Sequence, residues 1–211
     1  MRPPLPWRLA CAAAACLAML CAAARPAEPP EPAAWRVVLA GFERPAGTFT
    51  QPIPGARETD LAAAWLPAKS PTRFLSREEF AALGVDWAAF SAQSAAAASA
   101  ELAALEPEWV RDGNQVIECA ILRARRPVDN ATIAVLAPDF LKKYRPVFGS
   151  KILLAVPDAQ TVFLFPKLAS HYRDYGKRVI AIYRKSKAPV SREVFELSAA
   201  GLRAVGTYGE P

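Results

Sequence analysis

The stretch Lys151–Phe165, KILLAVPDAQTVFLF, constrains this chain more than any other. It holds two short apolar runs rich in β-branched and aromatic residues, separated by Pro157-Asp158. That pattern predicts a β-hairpin in the middle of a hydrophobic core, turning at the Pro-Asp pair, with neighbouring segments packed around it. Nothing in the stretch can do chemistry.

A chain of 211 residues that is 53% hydrophobic can bury one sizeable core around such a hairpin. The first residues stand apart from it. Arg2 and Arg8 precede the uncharged run Leu9–Ala24, and Ala22-Ala23-Ala24 supplies small residues for a signal peptidase. The expectation is a cleaved export signal over 1–24 and a periplasmic or extracellular domain. The run has 16 residues, short of the roughly 20 that span a bilayer, so a retained N-terminal anchor is the alternative. Acylation at Cys21 is disfavoured by Leu20, because lipoprotein signals carry a small residue there. Residues 25–33, RPAEPPEPA, read as a disordered Pro/Glu linker. The folded domain is expected over 34–211.

Cleavage would remove Cys11, Cys16 and Cys21 and leave Cys119 alone, so no internal disulfide can form. Loss of Arg2 and Arg8 would lower the formal charge from +6 to +4. The remaining charge is segregated. Residues 141–190 carry eleven Lys and Arg against Asp158 and Asp174, whereas 25–140 is net acidic. One basic surface follows; an anionic partner is the functional reading of it, and a solvated face that keeps the protein soluble is the alternative.

Trp35–Phe42 reads as a strand, Glu43–Glu58 as an irregular loop, and Leu61–Leu66 as either strand or helix. Ser76-Arg77-Glu78-Glu79 fits a capping box and opens a short helix that ends at Gly84. Asp86 caps a second helix over Trp87–Leu105, stopped by Pro107, whose Ala-rich interior favours close packing. Gln115–Arg123 reads as a central strand with Ile117, Cys119 and Ile121 on one face. Pro138–Tyr144 is a short helix with Pro138 in its first turn. Lys167–Lys185 is an amphipathic helix with an apolar stripe of Leu168, Tyr172, Tyr175, Val179 and Ile182, which Gly176 can interrupt. Val194–Ser198 and Leu202–Tyr208 form a hairpin over the three-residue loop Ala199-Ala200-Gly201. Strands and helices mix without a βαβ rhythm. The class is therefore α+β, a single domain with an antiparallel or mixed sheet packed against a few helices.

The order of these pieces resembles the YtpQ-like bacterial family, which carries a domain of unknown function, over about residues 60–209. The resemblance lies in Phe74-Leu75-Ser76-Arg77-Glu78-Glu79-Phe80 with Gly84 and the Ala-rich helix, and in Asp129 with Pro138-Asp139-Phe140-Leu141. It continues in Leu153–Pro157 with Thr161–Phe165, and in Pro189-Val190-Ser191 before Phe195-Glu196-Leu197-Ser198 and Gly201-Leu202. The chain departs from the family in its export signal and in Glu101-Leu102, where the family helix closes on Asn-Leu. The resemblance implies an α+β fold and supplies no activity, cofactor or catalytic residues.

Few residues offer chemistry. Cys119 and the single histidine, His171, are the one thiol–imidazole pair that an enzyme site could be assembled around. Cys119, however, sits on an apolar strand face, where cysteine behaves as a small hydrophobe. One histidine and one mature cysteine supply a metal poorly, and both glycine-rich phosphate loops are absent from the sequence. No cofactor and no metal are expected. The leading expectation is a non-enzymatic binding or accessory module of the cell envelope. Lys177, Arg178, Arg184 and Lys185 would form its contact surface for an acidic protein, an anionic polysaccharide or lipid headgroups. Export argues against nucleic acid.

Overall fold

The computed structural model of the protein describes residues 31–66, 72–125, 130–167 and 170–209. The expected signal over 1–24 and most of the linker lie outside these residues. The fold is α+β: two antiparallel sheets and five α-helices.

The hairpin within Lys151–Phe165 forms the centre of the larger sheet. Strand β7 (Ile152–Asp158) and β8 (Thr161–Pro166) pair with each other, then with β9 (Glu193–Ser198) and β6 (Ile117–Arg123) respectively. Strands β10 (Gly201–Thr207) and β5 (Pro107–Arg111) complete a six-stranded order β10-β9-β7-β8-β6-β5. The turn falls on Ala159-Gln160, two residues past the expected Pro-Asp pair, because Asp158 still pairs with Thr161. Both faces of the hairpin are buried. Ile152, Leu154, Val162 and Leu164 enter one core cluster, and Leu153, Ala155, Phe163 and Phe165 enter another.

Strand β6 is the penultimate strand, between β8 and β5, and not a central one. Its three expected face-mates also separate. Val110 pairs with Cys119 and Arg111 with Ile117, so Glu118 is bulged. One extra residue reverses the alternation. Ile117 therefore packs on the first cluster, while Cys119 and Ile121 belong to the second.

The smaller sheet is built on β3 (Asp60–Trp65), which settles as a strand the segment that periodicity left open. It pairs with β1 (Trp35–Ala40) along one edge. Its other edge takes β2 (Thr50–Pro52) and then β4 (Arg73–Phe74). The expected irregular loop thus contains a three-residue strand. Helix α1 (Arg77–Ala82) starts with the expected capping box, Ser76 and Glu79 each accepting the other's backbone N–H. Asp86 caps the long helix α2 (Trp87–Ala104) by accepting the Ala89 N–H at 2.8 Å.

Helix α2 buries Phe90, Ser94, Ala98 and Leu102, one residue every four, and lays this stripe along β1. Its small residues permit close approach, and this has an electrostatic consequence. The outer edge of β1 turns the Val37 and Leu39 N–H groups away from β3. Val37 donates to Ser94 Oγ at 2.7 Å, and Leu39 to Thr132 Oγ1 of the short helix α3 (Thr132–Val135) at 3.4 Å. Two hydroxyls take the place of a neighbouring strand. Helix α4 (Phe140–Phe148) then packs on β7 and β8. It starts later than expected: Pro138 precedes its N-cap residue Asp139, and Pro146 sits inside it.

The segment expected as one amphipathic helix is two elements. Ser170–Arg173 is a 3-10 turn, and helix α5 spans Gly176–Lys185. Gly176 begins the new helix where a Cβ would lie 3.0 Å from Cδ1 of Tyr208, so a larger residue would press on that ring. Lys167 follows β8 and is not part of the helix, and Leu168 falls outside the described residues. Val179 is buried and Tyr172, Tyr175 and Ile182 are half-buried against the second cluster, so the stripe does pack the core. The last hairpin has the two-residue loop Ala199-Ala200, with Gly201 already in β10 at φ +102°.

Replacing Ser94 with alanine leaves the Val37 N–H buried without its acceptor. The expected loss is about 1–3 kcal/mol of unfolding free energy, measured by urea titration. An unchanged midpoint would mean that the hydroxyl does not carry this edge.

Candidate functional site

Helix α5 shows how the expected basic surface is built. At 100° per residue, Lys177, Arg178, Ala181, Arg184 and Lys185 fall within one third of the helix circumference. All five are exposed, and Val179 and Ile180 on the other side are buried against the sheet. The four expected contact residues thus do lie together on one face. Arg178 has a second task, since its guanidinium carbon sits 5.6 Å from the centroid of the buried Phe163 ring.

One helix about 10 Å across covers two strands of a sheet whose strands are spaced by roughly 4.8 Å. Helix α5 lies over β7, and the same face of β9 and β10 is left open beside it. The result is a cleft of about 640 Å³ between the start of α5, the 3-10 turn and the β9–β10 hairpin. Its floor is apolar, made by Leu153, Ile180, Val194 and Tyr208, all buried. Lys167, Arg173, Lys177 and Arg203 stand around it with one carboxylate, Glu196.

Glu196 organises two of these cations. Its carboxylate is almost completely buried. Oε1 accepts from Nε and Nη2 of Arg203 at 3.1 and 2.9 Å, and Oε2 accepts from the Lys167 ammonium. Donation from Lys167, and then from Arg203, holds the Glu196 pKa below the ordinary carboxylate range against the opposing cost of burial. Arg173 is fixed differently: its Nε donates to Tyr172 Oη at 3.2 Å, with the guanidinium 5.7 Å from that ring's centroid. Tyr208 ties the cleft walls together by donating its hydroxyl to the Tyr172 carbonyl at 2.7 Å. Burial pushes the Tyr208 phenol pKa well up, so it remains a donor.

Sequence reasoning named Lys177 in this cleft and missed the rest. The signal was present in the last hairpin. A three-residue loop sets Glu196 opposite Ala204, whereas the observed two-residue loop sets it opposite Arg203. A one-residue difference in loop length therefore concealed a cross-strand ion pair.

The thiol–imidazole pair fares differently. Cys119 is fully buried on β6 among Ile121, Phe163 and Val179, and burial pushes its thiol pKa up, away from a reactive thiolate. It does not line the cleft. The His171 backbone belongs to the 3-10 turn, and its side chain falls outside what is described. Among the described residues no group of three or more His, Cys, Asp and Glu could hold a metal ion.

Comparison with protein-family models, curated proteins and solved structures finds no match to this chain.

Two outcomes follow from this geometry. Native protein and its Cys119→Ser variant should take up equal amounts of a water-soluble thiol reagent at neutral pH, and differ by one equivalent only in denaturant. Labelling of Cys119 in the native state would contradict its burial. The second concerns acid. A carboxylate with a depressed folded pKa contributes stability above its unfolded value, about 4.3, and loses it as pH falls through the lower folded value. The stability gap between wild type and Glu196→Gln should therefore narrow from about pH 6 to about pH 3 in urea titrations. A gap independent of pH would argue against charge pairing at Glu196.

Proposed function

We propose that this protein is a non-enzymatic binding or accessory module of the cell envelope that holds an anionic macromolecule on the exposed face of α5. The observation that carries the reading is the grouping of Lys177, Arg178, Arg184 and Lys185, all exposed, on that face. Charges so clustered attract polyanions from a distance and weaken with added salt. The chemistry of the face suits an acidic protein surface, an anionic polysaccharide or lipid headgroups. An exported location is consistent with the charged start, apolar run and small residues at the N-terminus. No described helix is long and apolar enough to cross a membrane. The YtpQ-like resemblance adds a fold and leaves the partner to be identified by its charge.

The test uses vesicles containing an anionic lipid, an acidic polysaccharide and polyglutamate, each against the wild type and a variant with all four cations reversed to glutamate. Binding of at least one polyanion is expected, about tenfold or more weaker in the variant and falling with salt. Binding that ignores both the reversal and the salt would overturn the proposal, as would absence of binding to all three.

A further inference from the structure

The cleft beside α5 has properties that a polyanion surface does not require. It is concave, its volume of about 640 Å³ lies in the range of small-molecule sites, and its floor is apolar. Four cations surround one carboxylate. If the cluster served only the fold, Lys167 and Arg203 around Glu196 would already exceed its needs, since one cation neutralises one carboxylate. Arg173 and Lys177 add two further positive charges. Among the described residues Lys177 has no ion-pair partner, and Arg173 bonds a phenol and no acid. Uncompensated like charges around a cavity cost stability through mutual repulsion, and a bound anion would remove that cost.

We propose that this cleft binds a small organic anion with at least two negative charges set against an apolar or aromatic body. The charged groups of the ligand lie among Lys167, Arg173, Lys177 and Arg203, and its body covers Leu153, Val194 and the Tyr208 ring. Glu196 is a positioning residue: it holds the Arg203 guanidinium and the Lys167 ammonium at the rim, so they are oriented before the ligand arrives. Phosphoryl and carboxylate groups both suit such donors. The site is separate from the polyanion surface, because Arg184 and Lys185 lie outside the cleft lining and only Lys177 is shared.

Isothermal titration of the full chain with phenyl phosphate and with phthalate tests the proposal and distinguishes the two chemical sources. Saturable binding of one or both is expected. Lys177→Gln and Arg173→Gln should each weaken it about tenfold, the scale of one charge-assisted hydrogen bond. Arg184→Glu with Lys185→Glu should leave it unchanged while reducing polyanion binding. Gly206 lines the cleft, and a Cβ placed there meets no atom within 4 Å, so Gly206→Leu has room to leave the backbone and obstruct the cleft. That variant should abolish small-ligand binding and spare polyanion binding. Failure of both probes to bind the wild type overturns the proposal. So does equal affinity in the Lys177 and Arg173 variants, or inorganic phosphate binding as tightly as phenyl phosphate. Loss of small-ligand binding in the Arg184/Lys185 variant would move the site to the helix face and likewise overturn it.

Discussion

The β7–β8 hairpin is apolar on both faces, and a sheet with such a centre is stable only when both faces are covered. Burying each Leu, Ile or Phe of the hairpin contributes on the order of 1.5–3 kcal/mol, so an uncovered face would forfeit a large share of a domain's margin of about 5–15 kcal/mol. The chain meets this demand unequally. The first face takes helix α4, the smaller sheet and the residues of α2 and α3 that join the same cluster. The second takes α5, the 3-10 turn and Tyr208. Thin cover on the second side leaves β9 and β10 open there, and the cleft is the part of the sheet that α5 is too narrow to reach.

Edges are the second demand of a two-sheet fold, and two of them are closed by local means. Along β1 the hydroxyls of Ser94 and Thr132 accept outward N–H groups, which explains why the Ala-rich helix must lie so close. Along β10 the Ala204 N–H donates to the Pro54 carbonyl at 2.8 Å. Gly55 makes that approach possible. Its φ is +78°, and a Cβ there would sit 2.7 Å from the Ala204 carbonyl oxygen. These contacts occupy N–H groups that the two edges would otherwise offer to another chain.

Much of the fold was legible because its signals are local. The capping box at Ser76, the Asp86 cap, the hairpin strands and the positive φ at Gly201 each depend on a few adjacent residues. What escaped depends on partners far along the chain or on a shift of one residue. The bulge at Glu118 separates Ile117 from Cys119, and nothing in QVIECAILR announces it. Gly176, where the second helix begins, lies against the Tyr208 ring, more than thirty positions away. The candidate site divides in the same way. The α5 face was visible as periodic charge, whereas the cleft needs β8, β9, β10 and α5 to assemble before its cations meet.

The larger sheet consists of three hairpins made from consecutive strands, β5–β6, β7–β8 and β9–β10. Each can zip from its own turn without waiting for distant chain. Only two junctions, β6 with β8 and β7 with β9, bring separate hairpins together. Loop-closure entropy is concentrated at those two seams, one spanning α3 and α4 and the other spanning α5. The helices that later cover the sheet are therefore also the tethers that set how fast it is assembled.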